Sequence, residues 1–184
     1  MDIRQWRTPA IILGILVALY LYTQLGEARH SSSTDAVFDL APDEVGRIVM
    51  TTAGQRAELT RGDSLWQMTG YDENPVRQWR LDSFFRSVLG VERESMVSAN
   101  PDKWGTYGVD DSTGKQVQVY NRGDNLVGHL IVGQSRSNFQ SSYIRQAGAD
   151  EVYLTRQSIF HLLAADSSFW LDAPPAPDTT GVEG

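Results

Sequence analysis

The sequence predicts an α+β domain, a mainly antiparallel sheet built of hairpins with about two helices on one face, behind one N-terminal transmembrane helix. Three patterns along the 184 residues lead to this prediction. The chain opens with an uncharged apolar run, its body alternates apolar and polar residues between glycine turns, and two later segments change to a helical period. Because short links join the strands, neighbouring strands are expected to pair antiparallel.

The first element is the uncharged run over residues 9–25, at the low end of the length that spans a bilayer as a helix. Two arginines precede it, and positive charge stays on the cytoplasmic side. Aromatic residues flank it, as they do at membrane interfaces. The predicted interface residues are Arg4, Trp6, Arg7, Tyr20 and Tyr22. The sequence therefore predicts a single-pass protein of the bacterial inner membrane, with residues 1–8 cytoplasmic and the following domain periplasmic.

Small residues recur every four positions in this run, at Ala10, Gly14 and Ala18. On a helix they share one face, which would let a second membrane helix approach closely. A cleaved signal peptide is the alternative, because Gly26 and Ala28 fit a small-residue cleavage site. The run exceeds the usual apolar region of a signal peptide, which favours the uncleaved anchor. Both interpretations place the domain outside the cytoplasm.

The body of the chain follows in a regular order. Residues 26–35 are polar and serine-rich and predict a flexible stalk, while 173–184 predict a disordered, proline-containing tail. Between them, residues 36–172 predict one extracytoplasmic domain. Its predicted strands are 45–52, 55–61, 65–69, 91–98, 115–120, 126–132, 142–146 and 151–155. Its predicted helices are 76–89 and 158–165, its long loop is 100–114, and 169–171 is expected to close the domain as a hydrophobic latch.

One tripeptide occurs twice, as Arg61-Gly62-Asp63 and as Arg122-Gly123-Asp124. Each copy falls inside a predicted hairpin, where Gly-Asp is common turn chemistry. The turn interpretation therefore accounts for both copies, and an internal duplication is the alternative.

The composition and the missing motifs argue against several classes of function. A net charge of -7 and a pI near 4.9 argue against nucleic acid as a partner. The absence of cysteine removes thiol catalysis and thiolate metal sites. The three histidines share no metal-ligand spacing, and no phosphate-binding glycine motif occurs. We therefore expect that the protein is not an enzyme and that it binds neither a metal nor a cofactor.

Two acidic pairs keep an enzymatic alternative open, Asp72-Glu73 and Asp110-Asp111. An envelope hydrolase would need at least two inward carboxylates of raised pKa in one cleft. A periplasmic module for a small ligand or glycan is the other alternative, and it predicts an aromatic-lined concave pocket.

Aromatic residues give the candidate contact surface. Trp79 and Arg80 are adjacent, and Trp104 lies in a glycine-containing loop. Exposed tryptophan beside arginine is typical of binding hot spots. These three residues are therefore the predicted protein-contact positions of the domain.

Several short strings occur in an order that resembles a known bacterial family. They are Val45-Gly46-Arg47-Ile48, Trp66-Gln67-Met68, Val97-Ser98-Ala99-Asn100-Pro101, Tyr107-Gly108-Val109-Asp110, Ile131-Val132-Gly133, Ser142-Tyr143-Ile144-Arg145, Glu151-Val152-Tyr153-Leu154 and Trp170-Leu171-Asp172. Behind a single membrane helix, this set resembles the family called domain of unknown function 4340, over about residues 38–172.

The resemblance implies a membrane-anchored, periplasm-facing protein that accompanies an ABC-2-type transporter, and it brings no catalytic residues. Many members are longer and hold several copies of the domain. A single short copy also suits an accessory subunit of another integral membrane complex, such as an energy-transducing assembly. We therefore expect an accessory or scaffolding subunit that docks on and stabilises such a complex, with the lipid bilayer as its second partner.

Overall fold

The computed structural model describes residues 36–172 except 64, 72 and 73. The predicted cytoplasmic segment 1–8, transmembrane helix 9–25, stalk 26–35 and tail 173–184 lie outside the described residues. So do the membrane positions Ala10, Gly14 and Ala18 and the interface positions Arg4, Trp6, Arg7, Tyr20 and Tyr22. Within the described part, no helix is long and apolar enough to cross a membrane.

The domain is α+β, and its centre is one antiparallel sheet of eight described strands. The strands are β1 Val45–Thr52, β2 Gln55–Arg61, β3 Trp66–Met68, β4 Arg93–Ser98, β5 Lys115–Asn121, β6 Leu126–Gln134, β7 Ser142–Gln146 and β8 Val152–Thr155. Their order across the sheet is β3-β2-β1-β5-β6-β7-β8-β4. The predicted hairpins are confirmed, whereas β4 pairs with β8 across a long stretch of sequence that no local turn pattern indicates.

The first helix, α1, covers Gln78–Phe84 and continues as a π-helical turn over Phe85–Leu89. Leu81, Phe84 and Val88 are fully buried, and Trp79 on another face is exposed. Three of the apolar residues that predicted this helix therefore form its core face, whereas Trp79, which belongs to the same predicted set, does not. Together with β-strand residues such as Ile48, these side chains form the main core on one side of the sheet.

A second helix, α2, covers Trp104–Tyr107 inside the segment that was predicted to be a loop. Asn100 caps the preceding 3-10 turn Pro101–Lys103, and Gly108 ends α2 in the left-handed conformation at φ 64°. The prediction missed this helix because one turn is too short to show a period. It packs in a smaller cluster with Ile131 and Val152. Their side chains alternate along the strands with residues of the main core, so this cluster lies on the other face of the sheet. The described helices therefore occupy both faces, and the prediction of helices on one face is wrong in this respect.

Close packing of α2 requires glycine at position 133 of β6. A Cβ atom there would collide with the backbone carbonyl oxygen of Tyr107. The glycine thus lets the helix backbone lie directly on the strand.

The predicted helix over 158–165 is wrong in extent, since only Phe160–Leu162 forms a 3-10 turn. Side chains from two strands bond to backbone groups of this segment. The hydroxyl oxygen of Ser142 accepts from the N–H groups of Ile159 and Phe160, and the Thr52 hydroxyl donates to the carbonyl oxygen of Leu163. These bonds fasten the segment to the sheet.

The last described helix, α3 Ser167–Trp170, carries the predicted latch. Trp170 is fully buried, its ring lies 6.1 Å from that of Phe84, and its indole N–H donates to the carbonyl oxygen of Ala164 at 2.7 Å. The backbone N–H of Arg77 donates to the carbonyl oxygen of Trp170 at 2.8 Å. This end of the described chain is therefore fixed beside the start of α1.

Candidate functional site

Two of the predicted contact residues lie side by side at the start of α1. Trp79 is 55% exposed. The guanidinium carbon of Arg80 lies 4.0 Å from the centroid of the Trp79 ring and 3.8 Å from that of Phe169. The arginine is thus held between two aromatic faces. We call Trp79, Arg80 and Phe169 the aromatic–arginine surface.

Phe169 reaches this surface because α3 is fixed to the start of α1. The Asp166 carboxylate caps α3 by accepting from the backbone N–H of Ser168 at 2.7 Å. Arg77 donates to the carboxylate of Asp172 at 2.8 Å and to the carbonyl oxygen of Ser168 at 3.2 Å. The aromatic–arginine surface is therefore assembled before any partner arrives.

The charge of Arg80 has no counter-ion in the described part of the chain. It forms no ion pair there, and the neighbouring Asp82 carboxylate accepts from the Gln78 amide at 2.9 Å instead. Its Nε is buried without a hydrogen-bond acceptor among the described residues. A buried donor without an acceptor is costly, so the surface is suited to a partner that supplies a carboxylate or carbonyl oxygen and an apolar group for Trp79.

Trp104 does not join this surface. It lies on the opposite face of the sheet, half-buried, and its indole N–H donates to the carbonyl oxygen of Asp150 at 3.1 Å. The guanidinium of Arg145 stacks on its ring at 3.8 Å. These contacts give Trp104 a packing role, and a contact role for it stays a prediction.

Arg145, which the sequence analysis did not single out, is the centre of that second cluster. It is 1% exposed and donates to the carbonyl oxygens of Val109 at 2.9 Å and Ala149 at 3.3 Å. It also pairs with the Asp111 carboxylate. One acid of the Asp110-Asp111 pair is therefore used to hold the fold.

The other acid, Asp110, is occupied by the turn that follows it. Its carboxylate accepts from the backbone N–H groups and hydroxyls of both Ser112 and Thr113. The hydroxyl hydrogen bonds are the largest cause that holds the pKa of Asp110 well below its usual range. The acidic-site alternative predicts carboxylates of raised pKa, and the pKa of Asp110 is shifted in the opposite direction. The Asp72-Glu73 pair lies outside the described residues.

We expect Asp110→Ala to lower the free energy of unfolding at pH 7 by about 1 kcal/mol, the usual scale for a capping carboxylate. Because the folded pKa lies below the unfolded value, the contribution of Asp110 is complete above that value and is lost as pH falls below about 4. Urea unfolding of both chains from pH 7 to pH 3 measures the difference. It should shrink on acidification, and a difference independent of pH would contradict this role.

A large groove lies where β1, β2 and β5 end near α1. Its volume is about 1020 Å³, and most lining side chains are charged or polar. Both Arg-Gly-Asp turns contribute to it. Its tryptophan, Trp66, is only 5% exposed, so the groove offers little of the aromatic surface that a glycan module would present.

A comparison with known protein families gives a match in this domain. A family model described as Domain of unknown function (DUF4340) matches residues 66–176, more than half of the chain. The chain belongs to this family. No curated protein and no solved structure matches it. The stretch of this DUF4340 member that matches begins at β3, and it contains α1, α3 and the whole aromatic–arginine surface.

Proposed function

We propose that this DUF4340 protein is a non-catalytic accessory subunit, held in the bacterial inner membrane by residues 9–25. Its periplasmic domain docks on an integral membrane complex, an ABC-2-type transporter or an energy-transducing assembly. The observation that carries this proposal is the aromatic–arginine surface. An exposed tryptophan and an arginine without a counter-ion, both already in position, are the features of a binding hot spot.

The proposed anchor explains how a small surface could suffice. Three side chains alone make a weak contact, far below the area of a stable interface. A membrane tether converts docking into an intramolecular event with an effective concentration of about millimolar. Ala10, Gly14 and Ala18 would add a helix–helix contact within the bilayer.

Co-purification of the full-length chain in mild detergent tests the proposal. We expect wild type to bring down an integral membrane protein in fixed proportion, and Trp79→Ala or Arg80→Gln to weaken that association about 30-fold, as at a hot spot. Leu126→Ala is the control, because Leu126 is 52% exposed and lies outside the surface. Equal recovery with all four chains, or a wild-type chain recovered alone as a monomer, would contradict the proposal.

A further inference from the structure

The groove described above contains charges that the fold leaves unpaired. Arg47 is fully used, since it pairs with Asp124 at 2.6 Å and Glu58 at 3.4 Å and stacks on Tyr120. Arg61 and Arg122 also line the groove, yet neither forms an ion pair with any described carboxylate. Two guanidinium groups in one groove therefore have no counter-ion among the residues that the structure describes.

These two guanidinium groups are held together by a single neutral acceptor. Nη1 of Arg61 and Nε of Arg122 donate to the same backbone carbonyl oxygen, that of Asp43, at 2.7 Å and 2.6 Å. The rest of each planar fork stays available, because only one nitrogen of each group is used in these bonds. Two positive charges fixed this close favour an anion between them, and paired guanidinium forks match the oxygens of a phosphate.

Three lining carboxylates form no ion pair with a described residue, and one of them, Asp82, accepts a hydrogen bond from the neutral Gln78 amide. The side chains of Asp43 and Asp63 are exposed and have no ion pair or hydrogen bond with other described residues. A purely anionic ligand would be repelled by them, and a purely cationic ligand by the arginines. The charges without an ion pair among the described residues, two positive and three negative, are matched by a molecule that carries both signs.

We propose that this groove binds a small zwitterion in which a phosphate is joined to a primary amine. The phosphate lies against Arg61 and Arg122, and the ammonium donates hydrogen bonds to Asp43 and Asp63. This assigns a shared role to the two Arg-Gly-Asp turns, which supply Arg61, Asp63 and Arg122. The same chemistry occurs in a free phosphoethanolamine and in a phospholipid head group.

Calorimetric titration of the full-length chain, in detergent free of phospholipid, tests the site with phosphoethanolamine. We expect it to bind more tightly than inorganic phosphate or ethanolamine, which each carry one sign. Phosphocholine should also bind less well, because its quaternary nitrogen has no hydrogen to donate. Arg122→Gln should weaken phosphoethanolamine binding about three- to tenfold, the range for an exposed charge-assisted contact.

Two variants make the test specific. Asp63→Asn should reduce the preference for phosphoethanolamine over phosphocholine without weakening the binding of inorganic phosphate. Arg136→Gln is the charge-matched control, since Arg136 is exposed on the β6–β7 loop outside the groove, and should change nothing. Thermal unfolding confirms that each variant is folded.

The same titration in lipid bilayer discs distinguishes a phospholipid head group from free phosphoethanolamine as the ligand. If discs of phosphatidylethanolamine, but not of phosphatidylcholine, block phosphoethanolamine binding, the lipid head group fills the site. Equal binding in both indicates the free molecule. Absence of binding by the folded wild-type chain overturns the proposal. Equal affinity for the single-charge compounds, or an equal loss with Arg136→Gln and Arg122→Gln, does the same. None of these outcomes depends on the docking surface.

Discussion

Replacing Arg145 by alanine is expected to destabilise the domain by about 3–5 kcal/mol, the range for truncating a large buried side chain. The side chain is 1% exposed, and it joins the Val109 carbonyl, the Ala149 carbonyl and the Trp104 ring. Its loss leaves the Val109 carbonyl oxygen without this donor and opens a cavity. It also removes the guanidinium group that stacks on the Trp104 ring.

Urea unfolding followed by circular dichroism measures this effect, with Arg136→Ala as the control. Arg136 is exposed in the β6–β7 loop, so its truncation should change the free energy of unfolding by less than about 0.5 kcal/mol. Arg145→Lys should recover only part of the loss, because an ammonium cannot reproduce the flat fork stacked on Trp104. If Arg145→Ala matched the control, the second cluster would have no role in stability.

Truncating Trp170 to alanine is expected to cost about 3–5 kcal/mol. Trp170 is fully buried, its ring meets those of Phe84 and Phe169, and its indole N–H is bonded to the Ala164 carbonyl. The variant should lose the packing contacts of the indole ring and its hydrogen bond together, and a cavity should remain in their place. It should also make α3 more mobile. Phe169, which belongs to α3, should then no longer be held against Arg80.

Trp79→Ala is the matched control for Trp170→Ala, because it removes the same side chain from an exposed position of the same region. We expect Trp79→Ala to keep the stability of the wild type within about 1 kcal/mol and to lose docking. Trp170→Ala should lose both. If Trp79→Ala unfolded the domain as readily as Trp170→Ala, Trp79 would be a structural residue.

Local pattern was enough to predict most of the sheet. The predicted bounds of β1, β2 and β7 agree with the structure, because alternation and glycine turns act within a few residues. The pairing of β4 with β8 joins segments that are distant in sequence, and no spacing rule indicates it. The shortened 158–165 segment was mispredicted for a similar reason, since the Ser142 hydroxyl that holds it comes from another strand.

The candidate site was predicted in part. Trp79 and Arg80 are adjacent in the sequence, and this adjacency was enough to predict that they lie in one region of the surface. Phe169 as the second face of the stack could not be predicted, because it depends on α3 docking through Arg77. Asp166 followed by serines was a capping signal that could have indicated α3. The sharing of the Asp43 carbonyl by two arginines depends on tertiary contacts alone.

Site-specific crosslinking in native membranes tests the docking claim most directly. Because the chain has no cysteine, Ser83→Cys, one helical turn after Trp79, and Leu126→Cys can each carry one photoreactive label. We predict that the label at position 83 crosslinks to one integral membrane protein, that added Arg80→Gln abolishes the product, and that position 126 yields none. Equal products from both positions, or a chain recovered in the soluble fraction without any product, would contradict the account.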